Sequence, residues 1–375
     1  MTNEELFFDL VYAFALTQLS HQLWHHLTGI GIVQTLILWF AVWLGWQYTC
    51  WVTNWFNPEA PAIRSLLLIT MALALVMAAS IPDAFAARAR LFALAYTLMQ
   101  VGRTAYIVVC LPAEHALAAN YRRILAWLLI AACFWLAGAW APAGWRVGLW
   151  LTAVGCEYVS PMFGFALPGL GRSHSRDWTI EGGHLAERCQ QFVIVALGES
   201  LLVTGAALSR TAAPAAGEIL GAGLAFLGTL AMWWLYFGTS TRAATEAIMH
   251  ADDPGRMGAS LHYVHAILIG GIVVAAVGND LVLARPFAIK AAWEAGVLAA
   301  GPCLYLLGSA LYKRIVYGVV PRSHLLGACA LMLCVPLTQR AGLLLPAALG
   351  TAMLLAVSLW EMRLGRCPVA VPRAH

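Results

Sequence analysis

The chain is expected to fold as an all-α, polytopic transmembrane helical bundle of about twelve helices, and three observations lead there. Hydrophobic residues fill 61% of its 375 positions and charged residues only 11%, with a mean hydropathy of +0.76; a soluble chain of this size could not cover so much apolar surface. The apolar residues arrive in runs near the twenty or so that a helix needs to cross hydrocarbon. Between the runs lie brief connections rich in helix-stopping residues, such as Asn57-Pro-Glu-Ala-Pro61, Ile81-Pro-Asp83, Ala141-Pro-Ala-Gly144 and Ala251-Asp-Asp-Pro-Gly255,.

Taken in order, the spans are predicted near Leu6–Leu23, Ile30–Thr53, Ser65–Ile81, Leu91–Leu111, Ile124–Trp140, Trp145–Phe165, Ala186–Leu208, Ile219–Gly238, Ala259–Leu281, Ala292–Leu311, His324–Leu337 and Leu343–Glu361,. The first is unusually polar and the eleventh is short. No stretch is left over for a soluble domain, so residues 1–375 are expected to form a single integral membrane domain. Glu4 and Glu5 precede the first run where a secretory leader would carry Lys or Arg, so that run is expected to stay in the mature protein,. The nine cysteines are odd in number, mostly inside apolar runs and without Cys-x-x-Cys spacing. They read as small packing residues, not as disulfides or a metal framework.

Lys and Arg near helix ends stay on the cytoplasmic side. With twelve spans, thirteen of the 22 fall in loops on the side of the termini and seven opposite, with Arg103 and Arg188 inside helices. Both termini are therefore expected to be cytoplasmic. The net charge of +4 reflects this bias, and the scattered basic residues give no stripe for nucleic acid,. The lipid bilayer is the one partner that composition demands.

Two segments carry acid and base where a spanning helix should be apolar: Glu5-Leu-Phe-Phe-Asp9-Leu-Val-Tyr-Ala-Phe-Ala-Leu-Thr-Gln18 and His184-Leu-Ala-Glu187-Arg188 running on to Gly198-Glu199. The first strongly resembles the N-terminal signature of the bacterial low temperature requirement protein A (LtrA) family. So does the second, with Phe192-Val-Ile-Val-Ala-Leu-Gly-Glu199. Three more blocks are similar in order: Trp233-Trp-Leu-Tyr-Phe237, His262-Tyr-Val-His265 running into Gly271-Ile-Val-Val-Ala-Ala-Val-Gly278, and Leu304-Tyr-Leu-Leu-Gly308 before Lys313 and Arg314. The resemblance implies a multi-pass protein of the bacterial inner membrane, concerned with growth in the cold. It brings no biochemical activity with it.

Ionisable groups in hydrocarbon cost several kcal/mol unless they pair or meet water, so each is a functional candidate. At about 1.5 Å per residue, Arg103, Glu157 and Glu199 each lie about 18 Å deep. With one base for two acids, either Glu157 or Glu199 is expected to hold a proton. On the seventh helix His184, Glu187, Arg188, Gln191, Gly198 and Glu199 share a sector of roughly 120°, and on the first Glu5, Asp9, Tyr12, Leu16 and Ser20 form a similar stripe. Asp9, Glu187 and Arg188, with His184, His262 and His265, are expected to make a layer nearer the cytoplasm. A buried acid–Arg pair is equally a device that fixes helix register.

Gly198 beside Glu199 allows a close helix approach or a broken helix of the sort transporters use, whereas Gly221 with Ala225 and Gly271 with Ala275 read as packing notches. His184 with Glu187, and His262 with His265, have i, i+3 spacing that could hold a metal, although interfacial anchoring explains such histidines more simply. Trp39, Trp43 and Trp46 form a stripe read mainly as packing, and Trp55 as an interfacial anchor. No cofactor is called for. Aligning Ala15-Leu16 with Ala196-Leu197 sets Gln18 against Glu199 and hints at two parallel repeats, 1–170 and 180–365,.

Three functions follow from these residues. The leading one is a secondary transporter, proton-coupled, of an undetermined small molecule or ion, with Glu199 and Glu157 as proton sites, Arg103 as their partner and Asp9 with Arg188 as an inner gate. The second is a membrane-embedded enzyme acting on a lipid or lipid-linked substrate with His184 and Glu187 as acid and base, against which stands the lack of a nucleophile motif or phosphate loop. The third is a structural or sensory membrane protein of cold adaptation. Substrate, direction and oligomeric state are not encoded in any motif here.

Overall fold

A computed structural model of the chain describes residues 1–178, 180–209, 213–238, 251–288, 292–338 and 341–365. Of the residues used above for orientation and cysteine reading, Arg210, Arg242, Lys290, Arg340, Arg366, Arg373 and Cys367 lie outside these. Among the described residues there are twelve α-helices: α1 (Asn3–His25), α2 (Gly29–Trp55), α3 (Pro61–Ser80), α4 (Ala89–Cys110), α5 (Ala118–Trp140), α6 (Ala143–Met162), α7 (Gly182–Leu208), α8 (Ala216–Phe237), α9 (Pro254–Ala284), α10 (Ala292–Tyr317), α11 (Arg322–Cys334) and α12 (Leu344–Gly365). No strand appears among them. The eight described cysteines are free thiols.

Nine of the helices are long and apolar enough to cross a membrane; α1, α6 and α11 are the others. Helix α11 has only 13 residues. Helix α1 falls short because Asp9, Gln18, His21 and Gln22 lower its hydropathy, yet its two faces explain it. Glu5, Phe8, Asp9, Tyr12 and Leu16 are at most 1% exposed, while Leu6, Phe7, Leu10 and Phe14 are 38–62% exposed. Polar inside and apolar outside is the reverse of a soluble amphipathic helix, and it is the arrangement that lipid imposes.

The chain divides into two compact units, Met1–Val195 with Ile248–His262, and Ala196–Ala247 with Tyr263–His375. In the first, α1 packs on α2 and α3, and α3 to α6 follow one another as antiparallel neighbours, with α2 also against α4 and α6. In the second, α8 packs against α12, and α10, α11 and α12 pack mutually. Two of the divisions fall inside α7 and α9, and the third lies outside the described residues.

The glycine notches differ from one another. A Cβ on Gly271 would lie 2.5 Å from the Tyr305 backbone nitrogen, and one on Gly301 2.5 Å from that of Ala275, so α9 and α10 approach backbone to backbone. Gly221 sits against Val282. At Gly198 the expectation of a break or close approach is corrected. Helix α7 runs through it unbroken and a Cβ there would meet nothing within 4 Å. The roughly 1 kcal/mol that a glycine costs a helix is too little to interrupt 27 residues,.

Candidate functional site

The first turn of α1 sets the first polar side chain. Thr2 caps the helix and Glu5 completes a capping box, its Oε2 accepting from the Thr2 backbone N–H at 3.0 Å,. Its other oxygen, Oε1, lies 2.8 Å from His184 Nε2 on α7. Asn54 at the end of α2 holds the far side of that ring, its Nδ2 3.3 Å from His184 Nδ1. Glu5 thus serves a helix start and an interhelical bond at once.

One turn further along α1 sits Asp9. Its Oδ1 accepts both from Arg188 Nη2 on α7 at 2.8 Å and from the Trp46 indole N–H on α2 at 2.7 Å. Both charged residues are at most 1% exposed. The guanidinium also lies 3.4 Å from Cys50 Sγ and over the Trp46 and Phe8 rings at 5.7 and 6.0 Å. Trp46 in turn stacks on Phe192 at 4.5 Å and 18°. The pair is closed by aromatic rings on several sides.

Its hydrogen bonding is nevertheless incomplete. Asp9 Oδ2, Arg188 Nε and Arg188 Nη1 have no hydrogen-bond partner among the described residues, although Nε stands 4.0 Å from Glu5. On the same helices Trp43 Nε1, Gln47 Oε1 and Gln191 Oε1 are also buried without one. With Ser20 Oγ, Gln22 Oε1, Trp55 Nε1 and Ser200 Oγ, α1, α2 and α7 carry ten such atoms among the described residues, where buried polar atoms are ordinarily satisfied.

Across α2 a second arrangement begins. Arg103 of α4, 2% exposed, donates from Nη1 to Thr49 Oγ1 at 2.9 Å and to the Gly45 carbonyl at 3.3 Å. Its Nη2 donates to Gln100 Oε1, Gln100 Nε2 donates to the Tyr96 hydroxyl at 3.3 Å, and that hydroxyl donates to Glu157 Oε2. Trp135 Nε1 donates to the other oxygen of Glu157 at 3.1 Å. Every donor in this chain points toward the carboxylate. Arg103 therefore supports Glu157 through two neutral side chains rather than by a direct ion pair, and such polarised chains strengthen their members.

The remaining expected residues are placed as follows. Glu187 is half exposed, its Oε2 3.3 Å from the Met1 amino nitrogen. Glu199 belongs to the second unit, is 9% exposed and makes no ion pair among the described residues. His262 lies between the Trp46 and Trp51 rings at 5.7 and 5.8 Å, with Nδ1 3.1 Å from the Gly258 carbonyl oxygen. His265, in the second unit, has Nε2 2.7 Å from the Tyr236 hydroxyl. His184 turns to Glu5 and not to Glu187. Among the described residues no three His, Cys, Asp or Glu side chains group as a metal site. Trp39, Trp43 and Trp46 form a buried ladder at 5.7 and 5.0 Å, and Trp55 packs on Trp51 and Tyr121.

Glu5, Trp46, Cys50, Tyr96, Gln100 and Trp135 are members that sequence reasoning did not assign to the site. Glu5 was within reach, because it stands four residues before Asp9 on the same face. The others are apolar or neutral residues on separate helices, with no signal of their own. An additional cluster was also missed: Lys313 Nζ donates to Glu361 Oε2 at 2.7 Å, Ser323 donates to Glu361 Oε1, and His324 sits between the Ser323 and Ser309 hydroxyls at 3.1 and 3.0 Å.

Comparison with known proteins agrees with the motif pattern. The family model described as "Bacterial low temperature requirement A protein (LtrA)" matches residues 1–360. A protein of Rhizobium meliloti (strain 1021), described as "Uncharacterized protein RA0937", is 36% identical over 361 residues, which span 95% of this chain and 88% of that one. No solved structure matches the chain.

Proposed function

The chain belongs to the bacterial low temperature requirement A (LtrA) family, and from that premise we propose that it is a proton-coupled secondary transporter of the bacterial inner membrane with both termini cytoplasmic. The observation that carries this reading is the half-used Asp9–Arg188 pair. A pair kept only to fix helix register gains most when all its bonding positions are filled, since desolvation otherwise outweighs the attraction. Here three of them stand open among the described residues, and Gln47, Gln191 and Trp43 on α2 and α7 each bury an unsatisfied atom as well. Water or a passing solute would complete them, which is what a gate needs and a static clamp does not.

In this reading Asp9 and Arg188 form the inner gate, with Glu5 and His184 at its cytoplasmic lip. Glu157 and Glu199 are proton sites, one in each unit, and Arg103 sustains Glu157 through Gln100 and Tyr96. The Tyr96 hydroxyl is the immediate proton donor or acceptor for Glu157.

Two measurements test it. In a variant keeping Cys50 as its sole cysteine, a membrane-impermeant thiol reagent applied from the cytoplasmic side should label Cys50, because that thiol touches Arg188; a thiol that stays unreacted over hours means a sealed bundle and ends the gate. In proteoliposomes loaded with a pH-sensitive dye and challenged with pools of amino acids, organic acids and organic cations, the wild type should move protons with at least one pool. Glu199→Gln and Glu157→Gln should each lose at least tenfold of that flux, and unchanged flux in both removes the proton-site assignment.

A further inference from the structure

The second unit contains a cavity of about 30 Å³ lined by α8, α9, α10 and α12. That is room for about two water molecules, or for a small ion with one of them. Its polar lining comes from Thr229, Asn279 and Thr351, with Leu298 and Pro302 on the α10 side. Its lining includes none of the residues assigned to transport above.

What distinguishes the lining is the direction of its hydrogens. Thr229 spends its hydroxyl proton on the Ala225 carbonyl at 2.9 Å, and Thr351 spends its own on the Leu224 carbonyl at 3.1 Å. Each hydroxyl oxygen is left with lone pairs only. Pro302, inside α10, has no N–H to give the Leu298 carbonyl one turn before it,. Gly350 keeps that carbonyl approachable, since a Cβ built there would lie 3.8 Å from the Leu298 oxygen and 3.4 Å from the Pro302 ring. Asn279, also in the lining, has an amide whose oxygen can accept when turned inward,. Four lining residues therefore have an oxygen able to accept at a space that fits a small ion and one water, two of them with hydroxyl protons already committed elsewhere.

We propose that this cavity is a binding site for a small monovalent cation, Na⁺ in the first instance, held by Thr229 Oγ1, Thr351 Oγ1, Asn279 Oδ1 and the Leu298 carbonyl. Neutral oxygens replacing part of a hydration shell are how membrane proteins hold alkali cations at low dielectric, and hard cations prefer oxygen ligands. Gly228 and Gly278 serve the site by omission. A Cβ at Gly228 would stand 3.3 Å from Thr351 Oγ1, and one at Gly278 3.1 Å from the Leu298 side chain.

The test reads binding without transport, so it stands or falls separately from the gate. The purified full chain in detergent is titrated with NaCl at constant ionic strength, with KCl or choline chloride as balance, and its melting temperature is followed. Sodium should raise the melting temperature saturably by several degrees over choline, with potassium giving less. Thr351→Val and Asn279→Leu, close to isosteric, should each weaken the apparent sodium affinity at least tenfold. Melting curves of the wild type that coincide in sodium, potassium and choline would mean that the cavity holds only water and would overturn the site, whatever the variants do. A sodium shift that both variants retain unchanged would place the ion elsewhere and overturn it equally.

Discussion

The Asp9–Arg188 pair of the first unit and the Lys313–Glu361 pair of the second, both at short distance and largely covered, are built differently. In the second unit Lys313 and Ser323 occupy both oxygens of Glu361, and His324 has hydroxyls on both ring nitrogens. In the first unit one oxygen of Asp9 takes two donors while its other oxygen and two guanidinium nitrogens go unused. A filled pair is a clamp holding helix ends together. An unfilled pair that is at most 1% exposed leaves bonding capacity that the described residues do not use.

Three substitutions can break or sharpen that contrast. The largest effect is expected for Arg188→Ala, which strands Asp9 as a buried, unpaired acid and should cost about 3 to 5 kcal/mol or abolish folding. The double variant Asp9→Asn with Arg188→Ala should recover most of the loss, as read from melting temperature and membrane yield; no recovery would mean that Asp9 is not the partner that matters. Lys313→Met should cost about 2 kcal/mol, because Ser323 still serves Glu361 at the bundle edge. It should leave Cys50 labelling unchanged, and a labelling rate that moves with Lys313 would erase the distinction between the two pairs. Trp46→Phe keeps the ring stacked on Phe192 and deletes only the N–H to Asp9. It should cost about 1 to 2 kcal/mol while speeding Cys50 labelling, since Asp9 is then held by Arg188 alone.

Much of the fold was legible. The span predicted as Ile30–Thr53 is α2, Gly29–Trp55, and the short eleventh span is the 13-residue α11. Length and composition set these through the thickness of hydrocarbon, which acts on every helix alike. The site was legible in depth and in face, and less so in partners. Asp9 and Arg188 share a level and each lies on the polar stripe of its helix, so periodicity alone could bring them together. Glu157 and Arg103 also share a level, but depth does not say what stands between them. Tyr96 and Gln100 do, one turn apart on α4, and only the packing of α4 against α5 and α6 brings that face to Glu157. Gly198 misled for the opposite reason: a residue that permits a break does not require one.

The Trp46 indole has a consequence beyond bonding. Its N–H rests on a carboxylate, its face on Phe192, and it stands 5.0 Å from Trp43, which in turn stands 5.7 Å from Trp39. Rings held rigidly at such spacings share their electronic transitions, so the protein carries its own optical gauge. Any rotation of Asp9 away from that indole would register as a change in near-ultraviolet circular dichroism, without a label attached anywhere on the chain.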